Sequence, residues 1–420
     1  MKEYRPRYAD IELKRGLEAF GAVLIEGPKW CGKTTTAEQV AKSAVYLQDE
    51  DKREDYRRMA AVKPSLLLQG EKPLLIDEWQ MEPRLWDAIR FDVDRESGEG
   101  LYILTGSTVV DESSIKHSGA GRIKRMRMST MSLFESGDSA GTVGLSDLFE
   151  NMDIGARSPL ALEDLARLTV RGGWPKTIGK DPAVARELID GYCQTILGSD
   201  IKTVDGVQRD GSRMGMIMKS LSRNVSTSVA NTKIQADLNA KMGTETHINT
   251  VRDYLGALDR LFVTQNLTAW NPRLRSKATV RTSDVRHFCD PAIAAYFLNA
   301  SPKNLMDDLN TFGLLFESLA VRDLRAYSKP LGGDVFHYRD SNGLEADAIV
   351  LLRDGRWGAV EVKLGAGMID DAAENLKKLG DTVESDAVGT PSFLAVVTGT
   401  EYAYRRDDGV YVVPLGCLRG

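Results

Sequence analysis

Cysteine and histidine are both scarce, with 4 of each in 420 residues. Cys31, Cys193, Cys289 and Cys417 lie far apart, with no CxxC pair and no histidine at metal-ligand spacing. That pattern argues against a disulfide framework or a zinc site and fits a reducing compartment. No apolar run approaches the roughly 18 residues of a membrane span. The opening MKEYRPRYAD is polar and lacks the apolar core of a signal peptide. The chain also lacks an excess of basic charge. Its net charge is -5 and its pI about 5.6, so contact with nucleic acid must come from local basic patches. There is no internal repeat and no long low-complexity tract. The expectation is a soluble, cytoplasmic protein with no membrane association. At this length two or three domains are the prior.

What is present begins with the run AVLIEG at 22–27, which reads as a buried strand ending in glycine. Residues 33–43 read as a helix. PLLIDEW (73–79) and LYILTGS (101–107) supply two further strands, and their alternation with helical stretches implies a parallel α/β sheet. Between strand and helix stands Gly27-Pro-Lys-Trp-Cys-Gly32-Lys33-Thr34, a complete G-x-x-x-x-G-K-[ST] in the setting that gives the motif meaning. Successive backbone N–H groups of such a loop curl around phosphates at a positive helix end. Lys33 reaches the β- and γ-phosphates, the Thr34 hydroxyl ligates Mg²⁺, and Thr35 extends the nucleotide contacts. Asp77 and Glu78 end the second strand, where one acid can hold Mg²⁺ through water and the next can polarise the attacking water. Ser107, or Thr105, ends the third strand, where a small polar group can sense the γ-phosphate. In AGRIKRMRM, Arg122 is either a finger delivered by a neighbouring subunit or part of a solvated basic edge strand.

The Gly-, Ser- and Asp-rich stretch 135–158 reads as a domain boundary or a lid connection. Residues 160–225 look helical, broken at RGGWPKT. Over 214–290 three helical stretches and two strand-like runs, VTQNLTAW and VRHFCDP, suggest a winged helix. Arg273, Arg275, Lys277 and Arg281 lie between those runs. This unit would dock on a duplex through phosphate contacts, or serve as a protein–protein or lid module.

The C-terminal stretch 345–365 reads as two strands around a tight turn. If Arg353-Asp354-Gly355 form a three-residue loop with Gly355 left-handed, Asp347 faces Glu361 and Lys363 shares their face. A two-residue Asp-Gly loop would instead oppose Asp347 to Val362. In the three-residue register, Asp347 and Glu361 can ligate Mg²⁺ and Lys363 can orient or activate a water. Glu317, in the helix FGLLFESLAV, is a further acid for that site. The plainer alternative is a salt-bridged hairpin.

The order GPKWCGKTT, LLIDEWQ, LTGS, GAGR, RGGWP, RLF, DP, GLLFESLAV, EADAIV, VEVK resembles a prokaryotic family across nearly the whole chain. Its members are AAA+ ATPases carrying a C-terminal domain of unassigned function with a PD-(D/E)xK, restriction-endonuclease-like core. The resemblance implies a P-loop AAA+ domain over 1–150, a helical lid and winged-helix region over 151–300, and an α/β nuclease-like domain over 301–420. It also implies ATP rather than GTP as the nucleotide, a homo-oligomer, and DNA as partner. By similarity, Ser107 maps to the sensor and Arg122 to a candidate finger.

Overall fold

Alternating apolar runs and helices build the first sheet. The structure, a computed structural model, describes residues 4–109, 117–242, 245–272, 283–384 and 388–420. Strands β1 (Ala22–Glu26), β2 (Ser43–Tyr46), β3 (Leu74–Asp77), β4 (Tyr102–Gly106) and β5 (Ile123–Arg127) form a parallel sheet in the order β2-β3-β4-β1-β5. Period-2 alternation sends Val23, Ile25, Leu75 and Ile103 to one face, against Leu13 and Leu17 of helix Tyr8–Ala19. Ala22, Leu24, Ile76 and Leu104 go to the other, against Trp86 and Ile89 of helix Arg84–Glu96. Burial on both faces explains why these strands read as unbroken apolar runs. The helix expected over 33–43 is shorter, Lys33–Glu38, because Ser43–Tyr46 leaves it to pair with β3.

The middle of the chain is helical. Leu162–Arg171 and Pro182–Thr195 flank the RGGWPKT break. Helices Gly211–Arg223, Asn231–Met242 and Ile248–Arg260 follow. A ribbon then joins Thr264 to Phe288 and Leu267 to Val285 in antiparallel bridges. Three helices and a ribbon is the arrangement the sequence suggested. The basic residues Arg273, Arg275, Lys277 and Arg281 lie outside the described residues.

Helix Leu309–Ser328 opens the C-terminal α/β unit. Strands β6 (Val143–Gly144), β7 (Gly155–Arg157), β8 (Gly333–Arg339), β9 (Glu345–Leu352), β10 (Trp357–Lys363), β11 (Phe393–Thr398), β12 (Tyr402–Arg405), β13 (Tyr411–Pro414) and β14 (Leu418–Arg419) complete the set. The larger sheet runs β7-β12-β13-β11-β10-β9-β8, and β6 pairs with β14 separately. Helix Ile369–Glu384 covers one face through Ala372, Leu376 and Leu379. The segment 135–158 therefore does more than connect. It contributes β6 and β7 to the C-terminal sheets.

A buried ionic hub ties the parts together. Arg322 bonds Asp290 at 3.0 Å and Asp323 at 2.7 Å, all three side chains being almost fully enclosed. Asp290 also accepts from Thr130 Oγ1 and Gly173 N, and Asp323 from Leu133 N. One cluster thus joins the exit of the parallel sheet, the RGGWP turn, the end of the ribbon and the first C-terminal helix.

Candidate functional sites

The carboxyl ends of β1, β3 and β4 meet at the P-loop, where ligands of open α/β sheets collect. Gly27 is required by space: a Cβ there would sit 2.1 Å from Met128 O. Gly32 is required by conformation, with φ +107°. Lys33 Nζ donates to Gly27 O at 3.0 Å and Pro28 O at 2.9 Å, folded back along its own loop. Thr34 Oγ1 donates to Asp77 Oδ1 at 2.6 Å, Thr105 Oγ1 to the same oxygen at 2.7 Å, and Gln48 Nε2 to Asp77 Oδ2 at 3.2 Å. Burial raises the Asp77 carboxyl against these bonds, which pull it down.

Glu78 takes a left-handed backbone, φ 54°. Its carboxylate accepts from Ser107 Oγ at 2.9 Å and from Gln80 Nε2. Ser107 is thus the partner of Glu78 in this arrangement, and Thr105 the partner of Asp77. Thr35 lines a groove of about 1190 Å³ beside the helix Lys33–Glu38, between Tyr4–Arg7 and Pro175–Ile178. Arg122 stands elsewhere. It begins β5 beside Ala22, at the opposite end of the sheet from the P-loop, and bonds Asp94 of its own domain at 2.7 Å.

Sequence reasoning missed what holds the P-loop in place. Trp174 Nε1 donates to Lys29 O at 3.1 Å, and Lys29 Nζ bonds Asp200 at 2.8 Å. Arg7 donates to Cys31 O and Ser129 O, each at 2.9 Å. RGGWP is a visible signal for Trp174, as a break between helices and as a motif of the resemblance, but neither assigns the tryptophan a contact with the P-loop. Nothing in the sequence around Arg7 or Asp200 marks them.

The second site is at the C-terminal hairpin. Gly355, φ +90°, donates to Leu352 O at 3.0 Å, and Leu352 N donates to Arg356 O at 2.8 Å. The turn is the three-residue one. The register runs Trp357 to Leu351 through Val360 to Ala348, which carries Glu361 opposite Asp347. Lys363 Nζ bonds Glu361 at 2.5 Å and lies 3.7 Å from Asp347. Asn375 Nδ2 donates to Glu361 Oε1 at 2.7 Å, and Val362 N to Asp347 Oδ2 at 2.7 Å. Asn375 is a further residue that sequence reasoning missed.

Burial, then Asp347, pushes the Glu361 carboxyl up to about 8. Glu317 is partly exposed, yet the surrounding protein and then Asp347 raise its carboxyl too. Burial alone would lower Lys363, but Asp347 and Glu361 outweigh it and raise the amine. The charges of Glu317, Glu361 and Lys363 therefore depend on their neighbours in the cluster. Their oxygens suit a hard divalent cation. Among the described residues, however, no group of three or more histidine, cysteine or acidic side chains stands arranged to hold a metal ion. Lys363 occupies that place between the acids.

Among the described residues no helix is long and apolar enough to cross a membrane. Residues 19–136 match the AAA domain family, residues 162–304 a domain of unknown function (DUF8612), and residues 312–418 another (DUF4143). Two uncharacterised proteins, of Mycobacterium bovis and Mycobacterium tuberculosis, are each 27% identical over 367 residues, covering 85% of this chain and 73% of their own. The Walker-type ATPase of Pyrococcus abyssi aligns at 13% identity over 70% of this chain and 99% of its own, with a TM-score of 0.42. The N-terminal part of the chain is a P-loop ATPase domain of the AAA family.

Proposed function

We propose that the protein binds and hydrolyses ATP and uses its C-terminal domain to bind DNA and cut it with a divalent metal. One observation carries the reading. Glu317 from a helix, Asp347 from β9, and Glu361 and Lys363 from β10 converge at one sheet end, in a chain that also holds a full P-loop. Such convergence of acids with a lysine, with Glu317, Glu361 and Lys363 all shifted, is the kind that marks a functional site.

In the ATPase domain Lys33 would turn from its own loop carbonyls to the β- and γ-phosphates. The direct bond from Thr34 to Asp77 already places two hard oxygens together, which fits Mg²⁺ held by Thr34 and, through water, by Asp77. The ion supplies charge neutralisation for the phosphates. Glu78 would polarise the attacking water after release from Ser107 and Gln80. The groove between Tyr4–Arg7 and Pro175–Ile178 would take the nucleoside, with Thr35 on its wall. Arg122 lies too far from the P-loop of its own subunit to serve it, so a finger role requires a homo-oligomer.

In the C-terminal domain Asp347 and Glu361 would hold the divalent cation, with Glu317 behind them. The ion supplies an activated water and stabilises charge on the cleaved phosphate. Lys363 would orient that water once displaced from Glu361. The winged helix would bring the duplex, held through its phosphates.

The rival reading is a nucleotide-switched binder of DNA or protein whose C-terminal domain is catalytically silent. The tight Lys363–Glu361 pair favours it. Nicking of supercoiled plasmid with Mg²⁺ or Mn²⁺, with and without ATP, separates the two. Cleavage lost in Lys363→Ala supports the nuclease. Retarded migration of DNA without cleavage under either metal selects the binder.

A further inference from the structure

A second polar cavity, of about 220 Å³, lies where the parallel sheet, the ribbon and the first C-terminal helix meet. Its walls carry more cationic groups than anionic ones. Arg7 bonds Glu135 at 3.1 Å, Lys329 bonds Asp334 at 3.0 Å, and Glu12 faces Lys124 at 3.6 Å. Two arginines on the walls are left, Arg127 from the end of β5 and Arg325 from helix Leu309–Ser328.

Neither has a carboxylate at ion-pair distance among the described residues. Arg325 gives one bond each to the carbonyls of Gln265 (2.6 Å) and Asn266 (2.8 Å). A guanidinium has five N–H donors, so these two leave donors over. Arg127 lies 5.1 Å from the ring centre of Phe262, and the nearby acids Glu26 and Asp259 feel its charge without bonding it. Burial, and then Arg127, pushes Arg325 down to about 10, while Asp334 pulls the other way. Arg127 is exposed at its strand end, whereas Arg325 is the enclosed one, and an enclosed charge is normally paired or bound to an ion.

We propose that this cavity is an anion site for a phosphate-type oxyanion, inorganic phosphate or pyrophosphate, gripped between Arg127 and Arg325. The geometry suits phosphate chemistry. Two guanidinium forks from different elements match an anion with several oxygens. The site is separate from the P-loop, although the segment Met128–Thr130 forms a wall of one and backs the other: Cys31 Sγ donates to Met128 O.

The test is calorimetric titration of inorganic phosphate, and then pyrophosphate, into the full chain at constant ionic strength. The P-loop is taken out of play twice, by saturating ADP·Mg²⁺ and by Lys33→Ala. Phosphate should still bind under both conditions. Arg127→Gln, at an exposed strand end, should weaken it by roughly tenfold or more, as loss of a charge-assisted bond would. A phosphate signal that vanishes when the P-loop is filled or disabled overturns the proposal, as does equal affinity in wild type and Arg127→Gln.

Discussion

Two strand ends in this molecule present acids, and they satisfy them differently. At the end of β3, Asp77 accepts from two threonine hydroxyls and a glutamine amide, while Lys33 turns to carbonyl oxygens. Hydroxyls meet the hydrogen-bonding demand of a carboxylate without cancelling its charge. At the ends of β9 and β10, Glu361 and Asp347 take an ammonium as their nearest cation. That partner cancels charge, but one lysine stands against three acids. The first site partners its acid with neutral donors, whereas the second sets a cation of its own against its acids.

The sharpest way to break this comparison is to disable each site in turn. Lys33→Ala should lower ATP hydrolysis by about 10²-fold or more, the scale of losing one electrostatic contact to a transition state. Lys363→Ala should leave hydrolysis within about twofold, since distant sites act nearly independently. Phosphate-release assays on both variants decide it. A large ATPase loss in Lys363→Ala would mean that the two sites work as one.

The hub ranks next. Arg322→Met leaves Asp290 and Asp323 buried without their cation, and breaking such a pair costs about 3–5 kcal/mol. Urea unfolding followed by tryptophan fluorescence should show that loss. Because the hub touches every part of the chain, both sites should fail at the same denaturant concentration. A smaller expected effect concerns pH. The Glu361 carboxyl lies above its ordinary value, so its protonated form supports the fold. That contribution is complete below about 4.5 and is lost as pH rises through about 8. Thermal midpoints of wild type should fall across this window more steeply than those of Glu361→Gln. Parallel curves would mean that Glu361 does not hold its proton in the fold.

The legibility of the two sites differed for a physical reason. The P-loop is contiguous, so one short string fixed its residues, and Asp77 and Ser107 followed from strands that end at the same edge. The hairpin was also local. Glycine at 355 decided between two registers, and the three-residue turn put Asp347 opposite Glu361. Asn375 and Glu317 reach that hairpin from helices, where only tertiary packing sets the approach, and Asn375 had no local mark. The same holds for Arg7, Asp200 and the Arg322 hub, where the contacts Arg7–Ser129, Lys29–Asp200 and Leu133–Asp323 each span over a hundred residues of sequence. Arg122 shows the converse. A basic cluster near a P-loop in sequence can lie at the far end of the sheet, because a parallel strand begins where its neighbour begins.

Trp174 offers the smallest and most pointed comparison. Its indole packs 4.8 Å from Tyr192, which lies 5.8 Å from Trp30 of the P-loop. Its Nε1 holds the carbonyl of Lys29. The first half of the P-loop is therefore shaped by the helical middle region as well as by its own glycines. Trp174→Phe keeps most of the packing and removes the hydrogen bond, a change of about 1 kcal/mol. ATP affinity measured by calorimetry should weaken roughly fivefold on that basis, with little change in unfolding midpoint. If affinity stays level, the loop holds its shape without the middle region, and ATP binding cannot be signalled to the ribbon through Trp174.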